Sequence, residues 1–500
     1  VENEKQVSKN KPGYERGLTA VFTPASVAVI GASATFAKWG QLILTSIVAG
    51  GFEGKIFPVN PKEKEMCGLR AYASVAEIPD PVDLAFVTTP AQTVPGVLEA
   101  CGGKGVKAVV IITSGFSETD DHGKSLEREI VGISKAHHMV IVGPNTMGVI
   151  FPYAGLFATG SHSRPKKGPV AFISQSGNLG NQLIHWAQQQ GIGISMFVGS
   201  GNEAMLSCTD YLAYLEQDPR TRIIVIYLES VGDGVRFVRV ARRVNRKKPV
   251  IVLKGGRTQA GRTAAASHTG SMSGDDAIFR AACHQAGVLN ARVPSELLNL
   301  SAGFSSLPMP TGNGVGIVTL GGGWGVVTSD ECNERGLMVP DIPERTVAAI
   351  GRHLPPFWSK GNPVDLVGTR DPDAPMVAVE ELLKLNRIDA VICLGIIGRD
   401  EIVRLLTDST RKADKHMPEE FLEQMEEYSR SYEEMFITRM VDFMEVYEKP
   451  VIGVTLARTE RGTVRSIAGK RYSGVFYQTP EDSVTVLARM VAYARRMRGV

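Results

Sequence analysis

Five hundred residues, 43% of them hydrophobic and 21% charged, exceed what one hydrophobic core organises and exclude a disordered or fibrous chain; two to four globular domains are expected. Lysine and arginine total 55 against 52 aspartate and glutamate, and a dispersed net charge of +3 leaves no footprint for nucleic acid. No window approaches a membrane span, and the opening VENEKQVSKNKPGYERG lacks the apolar core of a signal peptide, so a soluble, cytoplasmic protein with no membrane partner is expected.

After a polar extension over residues 1–17, the runs SVAVIG, GKIFPVN, VDLAFVTTP, VKAVVIITSG and HMVIVGPN alternate with helix-favouring stretches. Near-continuous apolar strands of this kind predict a parallel sheet covered on both faces, here a first domain over 18–160. The basic, turn-rich SHSRPKKG opens a second domain over 161–308, with strands PVAFIS, GISMFVG, RIIVIYLES and KPVIVLKGG. PMPTGNG begins a third over 309–500, with VGIVTLGG, IDAVICLGII and KPVIGVTLA. A charged, glycine-poor helical insertion is expected near 407–440, either a solvated excursion or a docking or lid helix. The fold class is α/β, three tandem parallel-sheet domains.

Shifting the second domain onto the third by 145 positions superposes Gly177, Gly180 and Gly191 on Gly322, Gly325 and Gly336; a Gly-Asn pair also recurs, at Gly201-Asn202 and Gly361-Asn362. Two related helix starts would offer two positive dipole ends to one anion. The six cysteines, Cys67, Cys101, Cys208, Cys283, Cys332 and Cys393, form no CxxC pair, which predicts buried, reduced thiols and no metal site.

The turn Gly31-Ala32-Ser33 follows the first strand, where small residues admit a phosphate or ribose. It is not the spaced GxGxxG pattern, and the second strand ends in VNPK, with Lys62 where a dinucleotide fold usually holds an acid; a 2'- or 3'-phosphorylated nucleotide is favoured over NAD, although Lys62 also suits a plain surface position. VTTP and ITSGFSE supply hydroxyls and backbone donors at the same sheet edge, and Asn145 in GPNTMG either donates into that crevice or holds a turn. ISQSGNLG lacks the GxSxG elbow of a serine hydrolase. Ser174, Ser176, Gly177 and Asn178 read instead as a helix start that holds a phosphoryl oxygen or as a simple N-cap. His268, among small residues in SHTGSM, has no companion metal ligands and is a candidate phosphoryl acceptor with Glu229 of LES as its orienting carboxylate, or else a structural histidine.

The order GAS, VNPK, TTP, TSGFSE, GPN, SQSG, LES, SHTGSM resembles the α subunit of the nucleoside-diphosphate-forming acyl-CoA synthetases, relatives of succinyl-CoA synthetase, over about residues 18–500. The resemblance implies a Rossmann-like coenzyme A-binding domain followed by two flavodoxin-like domains of the succinyl-CoA synthetase type. It places the phosphorylated histidine at His268, its carboxylate partner at Glu229, and phosphate-facing helix starts at Ser174, Ser176, Gly177 and Asn178 and at Gly322 and Gly323. Coenzyme A would lie against Gly31, Ala32, Ser33, Lys38, Val59, Pro61 and Lys62, then Thr88, Thr89, Pro90, Ser114, Gly115, Phe116 and Asn145.

The implied reaction turns acyl-CoA, phosphate and ADP into carboxylate, coenzyme A and ATP through an acyl phosphate and a phosphohistidine. The chain has neither a Walker A sequence nor room for an ATP-grasp domain, so the resemblance implies that ATP or ADP and Mg2+ sit on a separate ATP-grasp β subunit, in an α2β2 assembly. A non-catalytic regulator that binds coenzyme A or acyl-CoA is the alternative. Two departures stand out: Trp324 in LGGGWG, which together with Pro355, Phe357 and Trp358 could shape an acyl pocket or simply pack, and the insertion after Thr407.

Overall fold

The computed structural model describes residues 12–269, 275–369, 371–455 and 462–499; the side chains of 12, 13 and 265–269 lie outside that description. The chain forms two compact units, Val1–Gln188 with Ile192–Leu297 and Gln189–Gly191 with Leu298–Val500.

The first unit holds two sheets. One is formed by β1 (Ser26–Ile30), β2 (Lys55–Val59), β3 (Leu84–Val87), β4 (Ala108–Ile111) and β5 (Val140–Val142), parallel throughout in the order β2-β1-β3-β4-β5. Every residue of β1, β3, β4 and β5 is buried, which is why these runs read as continuous apolar stretches rather than alternating ones. The helix Asp121–Ala136 is amphipathic: Gly123, Leu126, Ile130 and Ser134 face inward, and Asp120 caps its start by accepting the Gly123 amide.

The second sheet contains β6 (Gly148–Phe151), β7 (Leu156–Thr159), β8 (Lys167–Ser174), β9 (Ile194–Gly199), β10 (Ile223–Leu228), β11 (Val250–Lys254) and β12 (Leu289–Ala291), in the order β12-β11-β10-β8-β9-β6-β7. The hairpin β6–β7 precedes residue 161 yet joins this sheet, antiparallel to β9. The second sheet is therefore mixed rather than wholly parallel, because two buried strands linked by a short turn can reach an open sheet edge without a crossover helix.

The second unit has one sheet, from β13 (Val315–Thr319), β14 (Val364–Asp365), β15 (Ala390–Leu394), β16 (Val451–Val454), β17 (Val464–Ser466) and β18 (Ser473–Tyr477), in the order β14-β13-β15-β16-β18-β17. Only β17 runs antiparallel to its neighbour. In all three sheets the glycine turn follows the strand at which the order reverses: β1 lies between β2 and β3, β8 between β9 and β10, and β13 between β14 and β15. Open α/β sheets bind ligands at the carboxyl ends of such strands.

The helices that matter for the site are α1 (Trp39–Ala49), α2 (Gly177–Gln189), α3 (Cys208–Leu215), α4 (Gly234–Asn245), α5 (Gln259–Thr269), α6 (Gly322–Glu334), α7 (Arg399–Ala413) and α8 (Glu419–Tyr447). The insertion is helical, as α7 and α8. It is not merely solvated, since Phe436, Ile437, Met440 and Val441 of α8 are buried and the buried Glu433 accepts both Arg465 (2.6 Å) and the Gly398 amide (2.7 Å).

One thiol departs from expectation. Cys67 is exposed, whereas the other five cysteines are buried and free. It forms with Gly68 a two-residue turn between Glu65–Met66 and Leu69–Arg70, both at positive φ, the conformation a tight hairpin requires.

Candidate functional site

The first glycine turn is shaped by close approach. Gly31 has φ +85°, and a Cβ on Gly40, in the first turn of α1, would lie 1.9 Å from the Gly31 carbonyl oxygen. The helix start therefore rests directly on the strand end, leaving no space for a side chain between them. Asn60, which sequence reasoning passed over inside VNPK, joins this turn to the second strand end: its Nδ2 donates to the Ala32 carbonyl at 2.7 Å and its Oδ1 accepts the Lys62 amide at 2.8 Å. The Lys62 side chain, like Lys38 and Pro61, is exposed, while Ala32 and Val59 are buried.

Further along the edge, the Thr88 hydroxyl is spent on the carbonyls of Ile30 and Gly31 (3.0 and 3.1 Å). Thr89 differs, because its hydroxyl is screened from solvent without a hydrogen-bond partner. Phe116 is fully buried, and the amides of Gly115 and Phe116 are taken by the Glu118 carboxylate (2.6 and 3.2 Å), so the TSGFSE turn keeps those two donors for itself. Burial raises the Glu118 carboxyl, but the Asn202 amide and these backbone amides bring it below the ordinary value.

At the end of β8, the buried Ser174 hydroxyl donates to the Ser176 carbonyl at 2.7 Å and closes the turn, and the Ser176 hydroxyl accepts the Leu179 amide at 3.4 Å. Both serines thus shape the helix start. The first amides of α2, at Gly177 and Asn178, have no partner within the helix, as at any helix start.

Gln175, absent from the sequence-based set, is the hub of this edge. Its Oε1 accepts the amides of Glu229 (2.6 Å) and Ser230 (3.1 Å), and its Nε2 donates to the Ser230 carbonyl (2.9 Å). Glu229 is buried and accepts the Tyr227 hydroxyl at 3.2 Å; burial and that carboxylate push the phenol well above its ordinary range. His268 belongs to α5, but its side chain lies outside the described residues, as do Gly270–Gly274.

Asn145 sits at φ +57°, a left-handed conformation that asparagine tolerates, and its Nδ2 meets Asn202 Oδ1 at 3.3 Å. It therefore both holds a turn and faces the crevice. The loop after β9 is pressed against the GPN turn: a Cβ on Gly201 would fall 2.3 Å from the Pro144 carbonyl oxygen. Asn202 Nδ2 then reaches Glu118 at 2.5 Å and Glu127 at 3.0 Å.

These residues enclose two cavities. One, of about 450 Å³, is lined by Thr88, Thr89, Pro90, Ser114, Asn145, Ser176, Gly177 and Asn178 of the expected set, and by Trp39, Met147 and Gln175 which were not expected. Gly31, Ala32, Ser33, Lys38, Val59, Pro61, Lys62, Gly115 and Phe116 do not line it. The other, of about 400 Å³, shares Asn145 and Gln175 with the first and extends past Asn202, Glu203 and Ser230.

In the second unit, the Thr319 hydroxyl donates to the Gly321 carbonyl at 2.8 Å, so the closure made by Ser174 recurs at the same 145-residue spacing. The later Gly-Asn pair does not repeat its job. Asn362 accepts the Ile317 amide and donates to the carbonyls of Val315 and Pro340, bracing a strand, whereas Asn202 faces carboxylates. A Cβ on Gly322 would come within 3.0 Å of Asp365 Oδ2, so a carboxylate already stands beside the α6 start proposed for phosphate, where the helix dipole favours it. Trp358 is buried, with its indole nitrogen 3.3 Å from where a Cβ on Gly351 would lie, while Phe357 is exposed.

Among the described residues no three His, Cys, Asp or Glu side chains group as a metal site, and no helix is long and apolar enough to cross a membrane.

Comparison with known proteins gives three consecutive family matches: a CoA binding domain over residues 25–152, a succinyl-CoA ligase like flavodoxin domain over 167–304, and a Ligase-CoA domain over 315–401. The α subunit of acetate–CoA ligase (ADP-forming) I of Pyrococcus furiosus is 46% identical over 80% of this chain and 88% of that protein. The corresponding II subunit α of the same organism is 42% identical over 76% and 82%. The solved dinucleotide forming acetyl-coenzyme A synthetase 1 of Ca. Korarchaeum cryptofilum, in complex with phosphate and ADP, is 34% identical over 97% of this chain and 98% of that one, with a TM-score of 0.82. Identity at this level across nearly the whole of such relatives, on this arrangement of α/β sheets, means that the chain belongs to the family of ADP-forming acyl-CoA ligase α subunits.

Proposed function

We propose that this chain carries the acyl transfer and the phosphohistidine of an ADP-forming acyl-CoA synthetase. Coenzyme A lies along the carboxyl edge of the first sheet, from the Gly31–Ser33 turn and Lys62 towards Thr89 and Ser114. A phosphate oxygen attacks the thioester carbonyl, the C–S bond breaks, and the departing thiolate takes up a proton. His268 then attacks phosphorus, the P–O bond to the acyl group breaks, and the carboxylate leaves. Finally a terminal oxygen of ADP attacks phosphorus and the P–N bond breaks, returning the His268 imidazole, with nucleotide and Mg2+ held by an ATP-grasp β subunit in an α2β2 assembly.

One observation carries this reading: Gly177 and Asn178 at the start of α2 and the coenzyme A-side residues Thr88, Thr89 and Ser114 line a single cavity. A helix start there favours a phosphoryl anion at the point where a thiol from the first sheet would arrive. Glu229, fixed through Gln175, orients the imidazole and offsets its positive charge. A regulator would need the first sheet alone.

The test is His268→Ala in the chain assembled with its β subunit. Thioester synthesis from acid, coenzyme A and ATP is expected to be lost together with the acid-labile phosphoprotein, with coenzyme A affinity kept. Thioester synthesis at the wild-type rate in that variant overturns the relay.

A further inference from the structure

Lys254, the last residue of β11, has no task in the relay as derived so far. It is buried, although it stands at the carboxyl edge of the second sheet, opposite Leu228 and next to the strand end that carries Glu229. Its Nζ donates to the Gly255 carbonyl at 2.9 Å and to the Glu229 carbonyl at 3.4 Å, and lies 5.8 Å from the centre of the Phe279 ring. The turn it holds is moulded on the candidate carboxylate: a Cβ on Gly255 would fall 2.6 Å from the Tyr227 hydroxyl and 3.3 Å from Glu229 Cγ.

Two strand ends could be tied by a neutral donor at a smaller desolvation cost, so the hydrogen bonds alone do not account for a charge at this place. The charged groups that act on Lys254 are Asp276, Arg262 and Glu229; the two carboxylates support the ammonium, while burial and Arg262 pull it below the ordinary lysine value. Arg262 belongs to α5, and Asp276 opens the helix Asp276–Ala286, so these groups come from the two helices that flank the SHTGSM segment. Lys254 is thus a buried positive charge set between the Glu229 strand end and the elements that lead into and out of the histidine segment.

Resting on the catalytic reading above, we propose that Lys254 is a positioning residue of the relay: it pins the Glu229 strand end and offsets the negative charge that a phosphoryl group on His268 brings towards the Glu229 carboxylate. In the direction of thioester synthesis, a His268 nitrogen bonds to the γ-phosphorus of ATP as the bond from that phosphorus to the β–γ bridging oxygen breaks, and ADP leaves. The phosphorylated imidazole then faces a carboxylate with like charge, and a fixed cation at the same edge favours that state over the unphosphorylated one.

The equilibrium of this step is the test, because a loss of packing that weakens both states alike leaves it unmoved. The acid-labile phosphoprotein is measured in the holoenzyme against the ATP:ADP ratio, for wild type, Lys254→Gln, Lys254→Met and Lys254→Arg. Gln keeps a donor without the charge, Met keeps neither, and Arg keeps both. The two neutral variants are expected to need a ratio at least about tenfold higher for half-phosphorylation, and Lys254→Arg to stay within about threefold of wild type. Coenzyme A affinity is expected to hold within about twofold throughout, since Lys254 does not line the cavity of Thr89 and Ser114. An unchanged ratio in the neutral variants, or an equal shift in Lys254→Arg, overturns the charge assignment while the relay stands; Lys254→Gln decides the matter by itself where Lys254→Met does not assemble. Absence of an acid-labile phosphoprotein from the wild-type holoenzyme overturns the catalytic reading and this assignment with it.

Discussion

The side-chain oxygen of Gln175 accepts the backbone amide of Glu229 at 2.6 Å. The turn that opens α2 and the strand end that carries the candidate carboxylate are thereby tied together. Gln175→Leu removes the bonds to the Glu229 and Ser230 amides, to the Ser230 carbonyl and to the Glu203 carboxylate. A stability loss of about 2–3 kcal/mol is expected from the loss of those bonds. Turnover is expected to fall about a hundredfold through misplacement of Glu229. Urea unfolding and single-turnover phosphorylation measure the two effects, and coenzyme A affinity is expected to stay within about twofold of wild type.

Thr89 offers the opposite balance. Its hydroxyl is buried without a partner, so Thr89→Val removes no internal hydrogen bond. Stability is expected to change by less than about 0.5 kcal/mol, whereas coenzyme A affinity falls about tenfold once the ligand loses that hydroxyl. Calorimetric titration beside a thermal melt checks both.

Gly40→Ala places a Cβ 1.9 Å from the Gly31 oxygen. Backbone on both sides cannot yield without parting helix from strand, and a cost of at least ~2 kcal/mol is expected, with weaker coenzyme A binding as the turn deforms. A melting temperature equal to that of wild type would contradict the close approach.

Glu203 makes stability depend on pH. Burial pushes its carboxyl up from 4.5 to about 7, and the charge of Asp210 adds to the rise against hydrogen bonds from Ser200, Gln175 and the Cys208 amide. A folded value above the unfolded one means that the folded state binds the extra proton, so the contribution is complete below about pH 4.5 and is lost as pH rises to about 7. The slope amounts to something on the order of 3 kcal/mol. In Glu203→Gln that slope is expected to vanish, so urea unfolding curves of variant and wild type should draw apart between pH 5 and 7 and run parallel above.

The strands and glycine turns were legible in the sequence because burial on both faces writes itself as an unbroken apolar run and a tight strand-to-helix turn demands small residues. Gln175 was not, since a glutamine between two serines carries no pattern until its partners 54 and 55 residues away are in place. Asn202 was seen only as part of a repeat; its role rests on Glu118 and Glu127, 84 and 75 residues distant. For Trp358 the sequence left a pocket wall and simple packing open, and the structure shows the residue buried. The β6–β7 hairpin escaped because periodicity tells a strand from a helix but not which sheet it joins.

Ser174 and Thr319 close their turns by the same hydroxyl-to-carbonyl bond, 145 residues apart. The likeness of the two turns thus extends from their glycines to their hydroxyls. The two helix mouths differ in what stands beside the first helical glycine: the Asp365 carboxylate at Gly322 and the Met147 side chain at Gly177. Installing an acid at the corresponding place beside Gly177 should therefore repel phosphate, and neutralising Asp365 should make the mouth at Gly322 more hospitable to anions.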